Sequence, residues 1–138
     1  MNDKVFIDTN LWIYLYAKDP PKKSQKIEEL IIEHSQEIQI STQTLGELFH
    51  VLIRKKFTSQ SEAAAIILEI VNDFTILDID TTKVLQAVQI NSRYGYSYWD
   101  SLIIATAFLS DCSILYSEDM QHNQLIEDKT RILNPFVD

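Results

Sequence analysis

Four acidic residues recur at comparable places in this chain. Asp8 closes the apolar run Val5-Phe6-Ile7, and Glu47 lies in the segment that follows Ile38-Gln39-Ile40-Ser41. Asp100 opens Ser97-Tyr98-Trp99-Asp100-Ser101-Leu102, and Asp119 follows Ile114-Leu115-Tyr116-Ser117. A carboxylate at the carboxyl end of a hydrophobic strand stands where parallel sheets bind their ligands. Carboxylates gathered there repel one another, and without a cation at least one should keep its proton to a raised pKa. Four such acids suggest a metal site.

Each acid also has a plainer reading. Asp8-Thr9-Asn10 is good helix N-cap chemistry, since all three side chains accept hydrogen bonds from first-turn N–H groups. Position favours more than a cap: the short strand before Asp8 is apolar and first in sequence, which predicts a central strand, with Asn10 a partner of the site. Asp100 precedes Leu102-Ile103-Ile104-Ala105-Thr106-Ala107-Phe108-Leu109, a helix with almost no polar face and therefore buried on most sides. A carboxylate at its start is a cap or a ligand, because burial without a partner costs several kcal/mol. Glu47 is the least distinctive: its helix carries the apolar stripe Leu45, Leu48, Phe49, Leu52 and Ile53, with Glu47 roughly opposite. Thr44-Leu45-Gly46-Glu47 also reads as a capping box. Asp119, beside Glu118, is ordinary turn chemistry taken alone. Jointly, four unrelated turn acids have no reason to fall repeatedly at one edge of a sheet.

The elements that must position these acids alternate along the chain. Strands are predicted near residues 4 to 8, 38 to 41, 74 to 78, 113 to 117 and 131 to 134. Helices are predicted near 10 to 17, 23 to 34, 43 to 56, 60 to 72, 81 to 94 and 98 to 110. Alternation of this kind predicts an α/β domain with a parallel sheet covered by helices. Ile27, Leu30, Ile31 and His34, and likewise Ala63, Ile66, Ile67 and Ile70, recur at helical spacing and belong to the core. Pro20-Pro21 breaks the chain before the second helix, and Gly95 marks the turn before the last.

Composition narrows the function classes. At 138 residues, 46% hydrophobic and 23% charged, the chain suits one domain over residues 1–138. No stretch approaches the roughly 20 apolar residues of a membrane span, and the N-terminal segment does not resemble a secretory signal. A cytoplasmic protein with no membrane association is expected. The single cysteine, Cys112, excludes an internal disulfide framework and reads as a packing residue. A net charge of −8 argues against a broad basic nucleic-acid face. It leaves room for a nuclease, whose bound cations would be the dominant local charges. The groups Lys18, Lys22, Lys23, Lys26 and Arg54-Lys55-Lys56 read first as solvated helix ends and second as phosphate contacts. With only two glycines, Gly46 and Gly95, neither a P-loop nor a dinucleotide-binding turn can be written. His34, His50 and His122 have no zinc-ligand spacing, and no Gly-x-Ser-x-Gly turn exists.

Five segments together resemble the PIN-domain family, and within it the small stand-alone ribonucleases of the VapC-like toxin type. They are Phe6-Ile7-Asp8-Thr9-Asn10, Ser41-Thr42-Gln43-Thr44-Leu45-Gly46-Glu47-Leu48, Tyr98-Trp99-Asp100-Ser101-Leu102-Ile103-Ile104-Ala105, Leu115-Tyr116-Ser117-Glu118-Asp119-Met120-Gln121 and Ile132-Leu133-Asn134-Pro135-Phe136. The resemblance implies a three-layer α/β/α PIN-like domain with a parallel sheet of about five strands in the order 3-2-1-4-5. It implies a Mg²⁺- or Mn²⁺-dependent phosphodiesterase site in which Asp8, Glu47, Asp100 and Asp119 are the acidic quartet, with Asn10 and Ser117 as their hydrogen-bonding partners. Asn123 departs from the pattern, standing where many relatives have glycine.

The expected reaction is in-line hydrolysis of an RNA phosphodiester. Oxygen-only ligands suit Mg²⁺ or Mn²⁺ better than zinc, and such an ion lowers the pKa of water and offsets transition-state charge. Asp8 and Asp100 are the expected principal ligands, Asp119 completes the set or holds a second ion, and Glu47 orients water or a second ion. Tyr94, Tyr96, Tyr98 and Trp99 read first as packing and second as platforms for unpaired bases. The toxin resemblance implies a small antitoxin over the acidic crevice, with an Arg pairing to carboxylates, and a homodimer. Two other readings remain: a PIN-like RNA- or protein-binding module without catalysis, and a phosphotransfer domain, phosphatase-like or receiver-like, using Asp8 with Asp78 and Asp80.

Overall fold

Val5, Phe6 and Ile7 form β1 (Val5–Ile7), which is buried along its whole length. It has parallel neighbours on both sides, β2 (Ile38–Ser41) and β4 (Ile114–Tyr116). A strand covered on both faces needs a continuous apolar run rather than an alternating one. Its residues nevertheless serve two cores. Phe6 packs beneath α5 (Thr81–Tyr94) and α6 (Tyr98–Leu109), while Val5 and Ile7 pack beneath the helices of the opposite face. Those are α1 (Thr9–Ala17), α2 (Pro21–His34), α3 (Thr42–Arg54) and α4 (Gln60–Asp73). The three layers follow from this alternation of side chains across the pleat. The structure, a computed structural model, describes residues 3–137; Met1, Asn2 and Asp138 of the predicted domain lie outside the described residues.

Two more elements extend the sheet on either side: β3 (Thr75–Leu77), parallel to β2, and β6 (Thr130–Leu133), parallel to β4. The five strands expected from the sequence lie in the predicted order 3-2-1-4-5. One correction concerns their number. A sixth strand, β5 (Leu125–Ile126), pairs antiparallel with β6, so the full order is β3-β2-β1-β4-β6-β5. Its two residues are too few to show periodicity, and its turn lacks the usual signal. Glu127 and Asp128 take the left-handed conformation there, at φ 48° and 57°, where glycine or asparagine is the common choice.

Asn123 also sits in the left-handed region, at φ 70°. Asparagine tolerates it better than other side chains, so the loop keeps a shape in which Asn123 N–H donates to the Ile132 carbonyl at 2.8 Å. Gly95 ends α5 at φ 82°, as a helix C-terminal glycine does. Cys112 is fully buried, and burial pushes its thiol up to about 12, which fits packing. Among the described residues no helix is long and apolar enough to cross a membrane.

Candidate active site

Each of the four acids is delivered by a different element to the carboxyl edge of the sheet. Asp8 directly follows β1, and its amide donates to the Tyr116 carbonyl at 3.0 Å, which carries the β1–β4 ladder to the edge. Both readings of Asp8 hold at once. It is the N-cap of α1, Oδ1 accepting from Thr9 N–H at 2.7 Å, while Oδ2 accepts from the Ser117 hydroxyl at 2.9 Å. Ser117 is itself fully buried.

Glu47 lies in the second turn of α3, which starts at Thr42, close to the expected residue 43. The expected capping box at Thr44 does not form: Ser41 caps the helix, accepting from Thr44 N–H at 3.2 Å, and Thr44 is buried inside it. The Glu47 carboxylate is therefore not drawn back to the helix start. Its Oε1 accepts from the Thr9 hydroxyl at 2.7 Å, and Oε2 from the Gln43 amide at 3.4 Å. Asp100 is likewise not a cap. Ser97 caps α6, its hydroxyl accepting from Asp100 N–H at 3.1 Å, and the Ser97 side chain also hydrogen-bonds the Asp100 carboxylate. Removing an N-cap hydroxyl costs about 1 kcal/mol, so Ser97→Ala is expected to lower stability by that amount in urea unfolding.

Asp119 is held by Asn10, whose side-chain amide donates to Oδ2. The tripeptide Asp8-Thr9-Asn10 thus supplies one acid and a neutral donor to each of two others. Asp8, Glu47 and Asp100 line one cleft of about 240 Å³ together with Thr9, Asn10, Gln43, His50 and Trp99. Asp119 does not line it but stands close enough to act on Asp100 electrostatically. A larger cleft of about 700 Å³, walled by residues such as Trp12, Tyr16 and Phe74, contains none of the four.

Electrostatics record the crowding. Burial pushes the Asp8 carboxyl from an ordinary 3.8 up to about 6, against the hydrogen bonds from Ser117 and Thr9, with the charges of Asp100 and Glu47 adding to the rise. Asp100 is also raised, first by burial and then by the charges of Asp119 and Glu47. Among the described residues, no lysine or arginine forms an ion pair with any of the four. An all-oxygen donor set with excess negative charge fits a hard divalent cation. As placed, no three His, Cys, Asp or Glu among the described residues stand close enough together to hold one.

Two neighbours escaped the sequence reading. Gln43 and His50 flank Glu47 at i−4 and i+3, and all three face the cleft; a polar stripe at that helical spacing was the available signal. Lys23 is not simply a solvated helix residue. Its ammonium pairs with Glu118 and lies over the rings of Tyr14 and Phe136, 4.9 and 5.0 Å from their centroids. Asp80 is engaged elsewhere: it caps α5 and pairs with Lys83, whose ammonium also takes the backbone carbonyl of Asp78. Neither Asp78 nor Asp80 lines the cleft that holds Asp8, which leaves the phosphotransfer reading without its second acid.

Comparison with known proteins bears on the fold and the family. The PIN-domain profile matches residues 5–126. No curated protein matches the chain by sequence. Among solved structures, a toxin–antitoxin complex from Klebsiella pneumoniae superposes with a TM-score of 0.74 at 19% identity, covering 96% of this chain and 98% of that one. DNA-bound VapBC from Salmonella typhimurium gives 0.71 at 22%, covering 94% and 96%. VapC20 from Mycobacterium tuberculosis, a sarcin-ricin loop cleaving toxin, gives 0.67 at 22%, covering 81% and 87%. These likenesses carry the fold, and the profile match over most of the chain carries the family: the protein belongs to the PIN-domain family.

Proposed function

We propose that the protein is a Mg²⁺- or Mn²⁺-dependent endoribonuclease and the toxin of a toxin–antitoxin pair. The observation that supports this best is the convergence of Asp8, Glu47 and Asp100 on one cleft, with Asp119 tethered at its rim through Asn10. Asp8 and Asp100 would hold the cation, with Asp119 completing the set. When bound, the ion supplies Lewis acidity toward the scissile phosphate and lowers the pKa of water. Glu47, held by the Thr9 hydroxyl, orients the attacking water in line with the phosphorus–oxygen bond that breaks. Ser117 and Thr9 hold the Asp8 carboxylate at the edge of the sheet, and cation binding would draw the acids closer together than they now stand.

Likeness to toxin–antitoxin structures supports a small antitoxin as partner, placing an arginine against the uncompensated carboxylates. A homodimer belongs to the same proposal. A non-catalytic PIN-like binding module is the second reading, favoured by the absence of a ready three-ligand set among the described residues. Sequencing the RNA fragments made by purified protein separates the two. Discrete cleavage sites in Mn²⁺ that vanish in EDTA are expected; intact RNA in both would favour the binding module.

A further inference from the structure

The chain has two tryptophans in opposite settings. Trp12 is fully buried, whereas Trp99 is 62% exposed. Trp99 lies in the first turn of α6, immediately before Asp100, and lines the same cleft as Asp8 and Glu47. Its exposure is not looseness. The Tyr98 ring braces it edge-on, centroids 4.9 Å apart at 77°, and the Gln43 amide donates to its carbonyl at 3.3 Å while also contacting Glu47. The Trp99 backbone is thus tied to the helix that carries Glu47, and its indole, braced by Tyr98, stands at the start of the helix that carries Asp100. The packing role expected first for this residue does not account for a large apolar face left in water beside a carboxylate cluster.

We propose that Trp99 is a stacking platform for an unpaired nucleobase adjacent to the phosphodiester held at the carboxylates. The inference rests on the ribonuclease reading and deepens it by naming the side chain that would contact an unpaired base of the substrate. Bases within a duplex already have both faces covered by their neighbours, while an unstacked base offers a free face to an aromatic side chain. Stacking of this kind is tolerant of base identity, so Trp99 selects strandedness rather than sequence. Trp99 contacts the substrate away from the reacting atoms, and its loss should weaken binding more than turnover.

Intrinsic fluorescence tests this directly, because Trp12 is buried and serves as an internal reference. In the Glu47→Gln protein with Mg²⁺, in which the group proposed to orient the attacking water is replaced while Asp8 and Asp100 are kept, a short single-stranded RNA of mixed sequence is expected to quench the exposed tryptophan, and the same strand in a duplex is not. The Trp99→Phe variant should lose the quenching signal. In the cleavage-competent protein, Trp99→Ala should raise KM for single-stranded RNA about tenfold or more with kcat nearly unchanged, and Trp99→Phe should recover part of the loss. Equal quenching by duplex, or an unchanged KM in Trp99→Ala, overturns the proposal. Cleavage by the wild-type protein without quenching removes the stacking platform and keeps the ribonuclease. Quenching without any cleavage does the reverse, and the absence of both removes both.

Discussion

Replacing Asp8 with asparagine is expected to remove RNA cleavage while making the cation-free protein more stable, and both effects come from where the carboxylate sits. Cleavage should fall by more than about 100-fold, since groups that merely orient a metal ligand are worth about 10- to 100-fold. Stability should move the other way. Asp8 keeps its proton up to about pH 6 in the fold but releases it near 3.8 when unfolded. Between those values the folded chain binds more protons than the unfolded one, so stability falls as pH rises. The deficit is absent below pH 3.8, grows until about pH 6, and then stays constant. A shift of this size corresponds to about 3 kcal/mol. Urea unfolding in EDTA should therefore show Asp8→Asn more stable than wild type at pH 7, with the two converging in acid. A variant that is less stable at pH 7 and equally active would remove Asp8 from the role assigned to it.

Trp12→Ala is expected to cost about 3 to 5 kcal/mol, the range for truncating a fully buried aromatic. Trp12 has no exposed surface, its indole N–H donates to the Ile7 carbonyl at 3.0 Å, and its ring meets Phe74 edge-on at 5.3 Å. Truncation would leave a cavity beneath β1 and strip a partner from the carbonyl that immediately precedes Asp8. Against a domain stability of about 5 to 15 kcal/mol, that loss approaches unfolding. Trp12→Phe retains most of the volume and should lose much less. Denaturant midpoints measure both, and a loss below about 1 kcal/mol for Trp12→Ala would mean that the site does not depend on this packing.

How far the molecule could be read from its residues depended on what each position had to satisfy. β1 was legible because a strand buried on both faces must be apolar throughout, and Asp8 was legible as the first charge after it. The helix from Tyr98 was legible for the same reason. Glu47 was obscured because helical periodicity reports only the buried stripe of Thr44, Leu48 and Leu52. The face that Glu47 shares with Gln43 and His50 is defined by a cleft formed between elements distant in sequence. Asp119 was obscured because its tether, Asn10, is 109 residues away. The strand Leu125–Ile126 was hidden by its brevity and by a turn built from Glu127 and Asp128 rather than glycine.

Calorimetric titration of Mn²⁺ into the metal-free protein tests most directly whether the four carboxylates form a cation site. Carboxyls that retain protons must release them when a cation binds, and Asp8 holds its proton up to about pH 6. Wild-type protein is predicted to bind Mn²⁺ with release of protons near pH 6, with affinity falling as the pH is lowered, and Asp8→Asn and Asp100→Asn are predicted to lose most of that affinity. Folded wild-type protein that binds no Mn²⁺ at millimolar concentration, or binds it equally well after both substitutions, would contradict the assignment.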